Sequence, residues 1–126
     1  IILAPSNPLL SLLPIINIPQ IKSSIIRNKK IPKIAVSPLI KGKAIKGPAN
    51  RIMEEMIIPV NPFGISDFYK EFLDILIIDS KDKVHCKNLN NGTIKFVPTN
   101  TLMKTKSDKI NLAKFIIDQA KIFISN

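Results

Sequence analysis

Four short runs, Ile1–Ala4, Lys33–Val36, Ile75–Ile78 and Ile94–Val97, are rich in Ile and Val and scarcely alternate with polar residues. Unalternated apolar runs suit strands covered on both faces, so the four are predicted to form a parallel sheet. Helical patterns lie between them. Pro19 stands at a first-turn position ahead of Ile21, Ile25 and Ile26, and Pro48 does the same ahead of Ile52, Met53 and Met56. Ser66, Ser80 and Ser107, followed by Asp67, Asp82 and Asp108, read as N-caps with acid in the first turn. In the last helix Ile110, Ala113, Ile117, Ala120 and Ile124 recur at three- and four-residue steps, and Leu112, Phe115, Ile116 and Phe123 widen the stripe. That helix is expected to pack a broad face on the sheet. Strands alternating with helices predict a layered α/β fold with right-handed crossovers.

Composition narrows this picture. A chain of 126 residues suffices for one domain, and 45% hydrophobic residues, with Ile at 25 positions, excludes the core-poor composition of disorder. Pro5, Pro8, Pro14 and Pro19 interrupt the most apolar stretch, so no membrane span is expected. The chain opens Ile1-Ile2-Leu3-Ala4, without an initiator Met or a basic segment ahead of an apolar one. It reads as a strand entered midway, and the chain is expected to be a fragment. A single cysteine, Cys86, excludes an internal disulfide and fits a reducing, cytoplasmic setting.

Charge is unevenly placed. Residues 1–51 hold nine cations (Lys22, Arg27, Lys29, Lys30, Lys33, Lys41, Lys43, Lys46 and Arg51) and no acid, whereas all nine acids fall in residues 52–126 beside ten Lys. The net charge of +10 therefore sits almost wholly in the first part. Such a region attracts phosphate-bearing partners. A nucleic-acid-binding fragment is one reading, but the cations are Lys-dominated and only seven aromatics, six Phe and one Tyr, are present for base stacking.

In open α/β sheets ligands bind beyond the carboxyl ends of the strands, which directs attention to the loops after the apolar runs. After the first run, Ser6, Asn7 and Ser11 offer compact polar groups between stiffening prolines. A helix N-terminus there would add free amides for an anion, unless Ser6 or Asn7 simply caps it. After the second run, Lys41, Lys43 and Lys46 interleave with Gly42 and Gly47 ahead of Pro48, a weak phosphate-cradle pattern that equally suits a solvated basic loop. After the fourth, Thr99 and Thr101 face the same crevice or cap the last helix. His85-Cys86 lacks further ligands to complete a metal site. Asp79 and Asp82 are expected to stabilise a helix start, Tyr69 to be a core aromatic, and Lys29-Lys30 to be a helix-end charge.

The blocks Leu3-Ala4-Pro5-Ser6-Asn7-Pro8, Ser11, Pro14, Ala35-Val36-Ser37-Pro38-Leu39-Ile40 and Gly42-Lys43-Ala44-Ile45-Lys46-Gly47-Pro48-Ala49 together resemble the 2-phospho-L-lactate transferase family of deazaflavin coenzyme biosynthesis. Phe68-Tyr69, Phe72-Leu73-Asp74, Asp79, Asp82, Thr101-Leu102-Met103 and Leu112-Ala113 follow as later landmarks in the same order. A related group of nucleotide-sugar-binding regulators shares Ser11 and Pro14, but the Ser6-Asn7-Pro8 and Lys46-Gly47-Pro48-Ala49 blocks fit the transferases better.

The resemblance covers the whole chain and implies a Rossmann-like three-layer α/β fold with a mainly parallel sheet. Residues 1–126 would be the C-terminal portion of a single larger domain. It further implies transfer of 2-phospho-L-lactate, or a related phospho-acid, from a guanosine-diphosphate-linked donor to a deazariboflavin acceptor, with release of GMP. The alternative is a regulator that holds a nucleotide sugar without turnover. Ser6, Asn7, Pro8, Ser11 and Ser37 would position the nucleotide, Lys43 and Lys46 neutralise phosphate, and Gly47 and Thr101 complete the crevice. Magnesium is implied, with its acidic ligands and a Gly-rich phosphate loop expected upstream of Ile1, so this fragment is expected to lack the metal site and activity of its own. A homodimer is compatible with the family; a membrane is not expected. The family carries Gly where this chain has Leu13 and Lys41, and Asp where it has Asn100, so the first and second loops are expected to be altered.

Overall fold

In a computed structural model, which describes residues 1–45, 47–86 and 93–125, four strands form one all-parallel sheet in the order β1, β2, β5, β6. These are β1 (Ile2–Leu3), β2 (Ile34–Val36), β5 (Ile75–Asp79) and β6 (Lys95–Thr99). Ile34 of β2 registers with Ile2 on one side and Ile75 on the other, and Ile75 with Lys95 of β6. Every residue of β2 and β5 is buried, as their unbroken apolar character predicts for inner strands.

Alternation along β5 sends side chains to two cores. Leu76 and Ile78, with Leu3 and Ala35, meet Ile16, Ile25, Met53, Ile65, Tyr69 and Leu73 on one face. Ile75 and Ile77, with Ile34 and Val36, meet Leu112 and Ile116 on the other. Helices thus cover both faces, the three-layer α/β arrangement expected. The first face carries a turn of π-helix at Pro8–Leu12 running into α1 (Leu13–Ile16), then α2 (Pro19–Arg27), α3 (Ala49–Glu55) and α4 (Pro62–Asp67). The second face carries α5 (Lys106–Ser125). Tyr69 is core, as expected, with ring centroids 6.4 and 6.0 Å from Phe68 and Phe72.

Several local expectations are corrected. The serines are not the caps. Helix α4 starts at Asn61, whose Oδ1 accepts from Phe63 N and Gly64 N, and Ser66 lies in its last turn, donating to Phe63 O. Helix α5 is capped by a reciprocal box in which Thr105 Oγ1 accepts from Asp108 N and Asp108 Oδ2 accepts from Thr105 N. The hydrogen bond that Thr105 N donates to the Asp108 carboxyl holds it below its usual pKa. Asp79, not Ser80, accepts from the first turn of the 3-10 helix Ser80–Cys86, at Lys81 N.

The core stripe of α5 is shifted as well. Leu112 and Ile116 are buried, whereas Ile110, Ile117 and Ile124 are 44%, 48% and 66% exposed. Apart from a polar stripe of Asn111, Lys114, Asp118 and Lys121 the helix presents a broad apolar arc, so periodicity alone cannot select the residues at its centre; packing against Ile34, Val36, Ile75 and Ile77 does. Among the described residues no single helix is long and apolar enough to cross a membrane.

An antiparallel hairpin, β3 (Leu39–Ile40) and β4 (Lys43–Ala44), was not legible as strand. Its turn residues Lys41 and Gly42 have φ of 53° and 65°, both left-handed as a two-residue type I′ turn requires. The family's Gly at the position of Lys41 would meet that conformation without strain; Lys adopts it at a cost of about 1 kcal/mol. Leu13, by contrast, sits at φ −60° and ψ −36°, where any residue is at ease, so the departure from Gly there alters nothing in the backbone.

Candidate functional site

The carboxyl ends of β1, β2 and β6 open onto one cleft of about 470 Å³, within the size range of small-molecule sites. Its walls come from the three loops singled out by topology. Ser6, Asn7 and Ser11 contribute from the first, Ser37, Ile40, Ile45 and Gly47 from the second, and Thr101, Leu102 and Met103 from the third. Polar groups stand at the strand ends, while Leu10, Ile40, Ile45 and Met103 make the remainder apolar.

Asn7 shows how the chain builds the first wall. Its Oδ1 accepts from Leu9 N at 3.0 Å and Leu10 N at 3.1 Å, and its main-chain oxygen accepts from Ser11 N and Leu12 N. Asn7 is therefore a cap, and the amides expected to stand free for an anion are largely consumed. The same two donors fix which end of the amide is nitrogen. Asn7 Nδ2 is buried with no hydrogen-bond partner among the described residues, an arrangement that costs about 1–3 kcal/mol when left unpaired.

Ser37 is buried at the end of β2, donates its N–H to Ile77 O and accepts at Oγ from Leu39 N, turning the chain into β3. Thr101 is buried on the opposite wall, with N and Oγ1 both donating to Asp79 Oδ2 at 3.1 and 3.2 Å. Asn100 Oδ1 accepts from Leu102 N, a local turn that the family's Asp would make equally well.

Of the two lysines expected to neutralise phosphate at the cleft, the described residues include one. Lys43 is exposed in β4 opposite Ile40 and is not among the residues that line the cleft. Pro8 is fully buried at the helix start and does not line it either. Lys46 lies outside the described residues, as do the side chains of His85 and Cys86. No charged residue is found among the described lining residues. The segregation of charge along the chain is also mixed in space, since Lys22 pairs with Glu71 at 2.8 Å, Lys33 with Asp74 at 3.7 Å and Arg51 with Glu55 at 2.8 Å.

Sequence reasoning missed the residues behind the walls. Asp82 Oδ2 accepts from Lys41 N at 3.0 Å and its Oδ1 from Gly42 N at 3.2 Å. Asn50 accepts from Ala44 N and donates to Gly42 O, tying the hairpin to α3. No spacing signal points to these pairings, which join residues up to 41 positions apart.

With this geometry in view, the comparisons with known proteins decide the family. The model of the family described as 2-phospho-L-lactate transferase CofD matches residues 1–115. The chain belongs to the 2-phospho-L-lactate transferase family. Curated relatives of that name include the protein of Methanococcus maripaludis strain C6, 37% identical over 96% of this chain and 37% of the relative. The protein of Methanococcoides burtonii is 39% identical over 93% of this chain and 37% of the relative. That of Methanocaldococcus jannaschii is 39% identical over 94% and 36%. The chain thus spans little more than a third of the length of the relatives it matches. The residues of the transferase family's Ser6-Asn7 and Ser37 blocks are those that meet in the cleft. Magnesium does not fit the described residues: they contain no group of three His, Cys, Asp or Glu able to hold a metal, and the carboxylates of Asp79 and Asp82 are engaged by N–H and O–H donors.

Proposed function

We propose that the cleft holds the guanosine diphosphate part of a nucleotide-linked 2-phospho-L-lactate donor, and that the whole protein transfers the phospholactyl group to the side-chain hydroxyl of a deazariboflavin. Family membership, together with the meeting of Ser6, Asn7, Ser11, Ser37 and Thr101 beyond the strand ends, carries this reading. In the reaction the acceptor oxygen forms a bond to the phosphorus that bears lactate. The bond from that phosphorus to the bridging oxygen breaks, GMP leaves with the electron pair, and the hydroxyl proton passes to base or solvent. Such chemistry rests on positioning and charge stabilisation more than on a protein nucleophile.

The described residues supply the positioning. Asn7 Nδ2, the buried donor with no partner, is assigned to a phosphate oxygen of the donor, where a charge-assisted hydrogen bond would satisfy it. Ser6 and Ser11 offer hydroxyls beside it, and the apolar residues Leu10, Ile40, Ile45 and Met103 seat the base. We assign any magnesium of the reaction to ligands outside the described residues. The test is incubation of the full-length protein with the lactyl-diphospho-guanosine donor, deazariboflavin and magnesium. GMP release coupled to a phosphorylated deazaflavin is expected; neither product with lactyl or enolpyruvyl donors would overturn the reading, and saturable nucleotide-sugar binding without transfer would favour a regulator.

A further inference from the structure

Two buried carboxylates beside the cleft are absorbed by no part of the reading above. Asp79, which ends the central strand β5, and Asp82, three residues on, are each 2% exposed, and neither lines the cleft. Asp79 reaches the third loop, accepting at Oδ2 from both N and Oγ1 of Thr101, while its Oδ1 is anchored by Lys81 N at 3.0 Å. Asp82 reaches the opposite wall and accepts from both left-handed amides of the hairpin turn, Lys41 N and Gly42 N. The hairpin presents Ile40 and Ile45 to the cleft, and the third loop presents Thr101, Leu102 and Met103. A helix-capping role accounts for the Lys81 bond alone.

We propose that Asp79 and Asp82 are positioning residues that clasp the two walls of the cleft to the end of β5 and so set the width available to the nucleotide. This rests on the cleft being the nucleotide site. Strand β5 is flanked on both sides by paired strands and buried at every residue, which makes its end the steadiest reference in the fold. Each clasp spans a long stretch of chain, 22 residues to Thr101 and 41 to Lys41, and so ties a wall to the sheet, whereas Asn50 ties the hairpin only to the neighbouring α3. A wall displaced by a fraction of an ångström would loosen the ligand while leaving the core intact.

Asp79→Asn and Asp82→Asn in the full-length protein preserve volume but turn one acceptor oxygen into a donor against an N–H. Guanosine diphosphate binding is measured by calorimetry at a temperature where every variant is folded. Ile116→Val serves as a control that weakens the α5 core away from the cleft. Both Asn variants are expected to bind guanosine diphosphate about tenfold or more weakly, with wild-type affinity in the control. Amide exchange is expected to accelerate at Thr101 in the first variant and at Lys41 and Gly42 in the second. Wild-type affinity in both Asn variants, or unchanged exchange at those amides, would overturn the proposal. A wild-type protein that binds no guanosine diphosphate would instead sink the nucleotide assignment, leaving amide exchange to decide whether the clasp exists.

Discussion

Asn7 caps a helix, and two substitutions test the further role proposed for it at the donor phosphate. Its Oδ1 caps the first helix through Leu9 N and Leu10 N, and its Nδ2 is buried with no partner among the described residues. Asn7→Asp keeps the cap, because a carboxylate accepts from the same two amides and suits the positive end of a helix. It replaces the donor by an anionic oxygen. The cap is kept, but an anionic oxygen in the buried place of Nδ2 lacks a donor and should cost about 1–3 kcal/mol of stability, while a phosphate oxygen loses a charge-assisted bond of about 1.5–3 kcal/mol. At 1.4 kcal/mol per decade that loss is roughly 10- to 150-fold in affinity for guanosine diphosphate, before repulsion is counted. Asn7→Ala removes cap and donor together, costing about 1–2 kcal/mol of stability and the same decades of affinity. Calorimetric titration with guanosine diphosphate and thermal melts of the three full-length proteins give both quantities. If Asn7→Asp binds as tightly as the parent, Asn7 is a cap and nothing more, and its assignment to the donor phosphate is wrong.

Three further outcomes follow from the fold. Lys41→Gly removes a left-handed non-glycine residue at φ 53° and should stabilise the protein by up to about 0.6 kcal/mol after the entropy of Gly is counted; a lower melting temperature would contradict the strain argument. Gly64→Ala places a Cβ 1.9 Å from Pro59 O, a clash with main chain rather than a movable side chain, and should cost about 2–4 kcal/mol in denaturant unfolding. Burial raises the Tyr69 hydroxyl above its ordinary pKa of 10.0. Its contribution to stability is complete below that value and is lost as pH rises beyond it. Unfolding curves should accordingly shift in favour of Tyr69→Phe above pH 10, and a pH-independent difference between the two would contradict the burial argument.

Much of the architecture was legible from pattern because each signal had a single physical meaning. Four unalternated Ile- and Val-rich runs can be strands only if both faces are covered, and β2 and β5 are buried throughout. Pro19 leads α2, and Pro48 directly precedes α3. The loops that line the cleft were identified by topology, since parallel strands point their carboxyl ends to one side. Where several residues compete for one role, pattern was silent. Ser and Asn are both capping residue types, and the start of α4 fell to Asn61, whose oxygen reaches Phe63 N and Gly64 N. The apolar arc of α5 is wider than the face that packs, and the contact with β2 and β5 decided which part of it is core.

Sequence alone determined the family, the strand-loop-helix order and most of the polar groups that meet in the cleft, because these are properties of local runs and their sequence. Tertiary structure decided which charges matter. The nine cations of residues 1–51 looked like a phosphate-facing surface, yet three of them pair with acids, and Lys43 is not among the residues that line the cleft. It also decided that Asp79 and Asp82 serve the walls of the cleft rather than a helix end alone. Pairings between residues 22 to 41 positions apart leave no periodic trace in a chain; they exist only once parallel strands have brought the loops to the same end of the sheet.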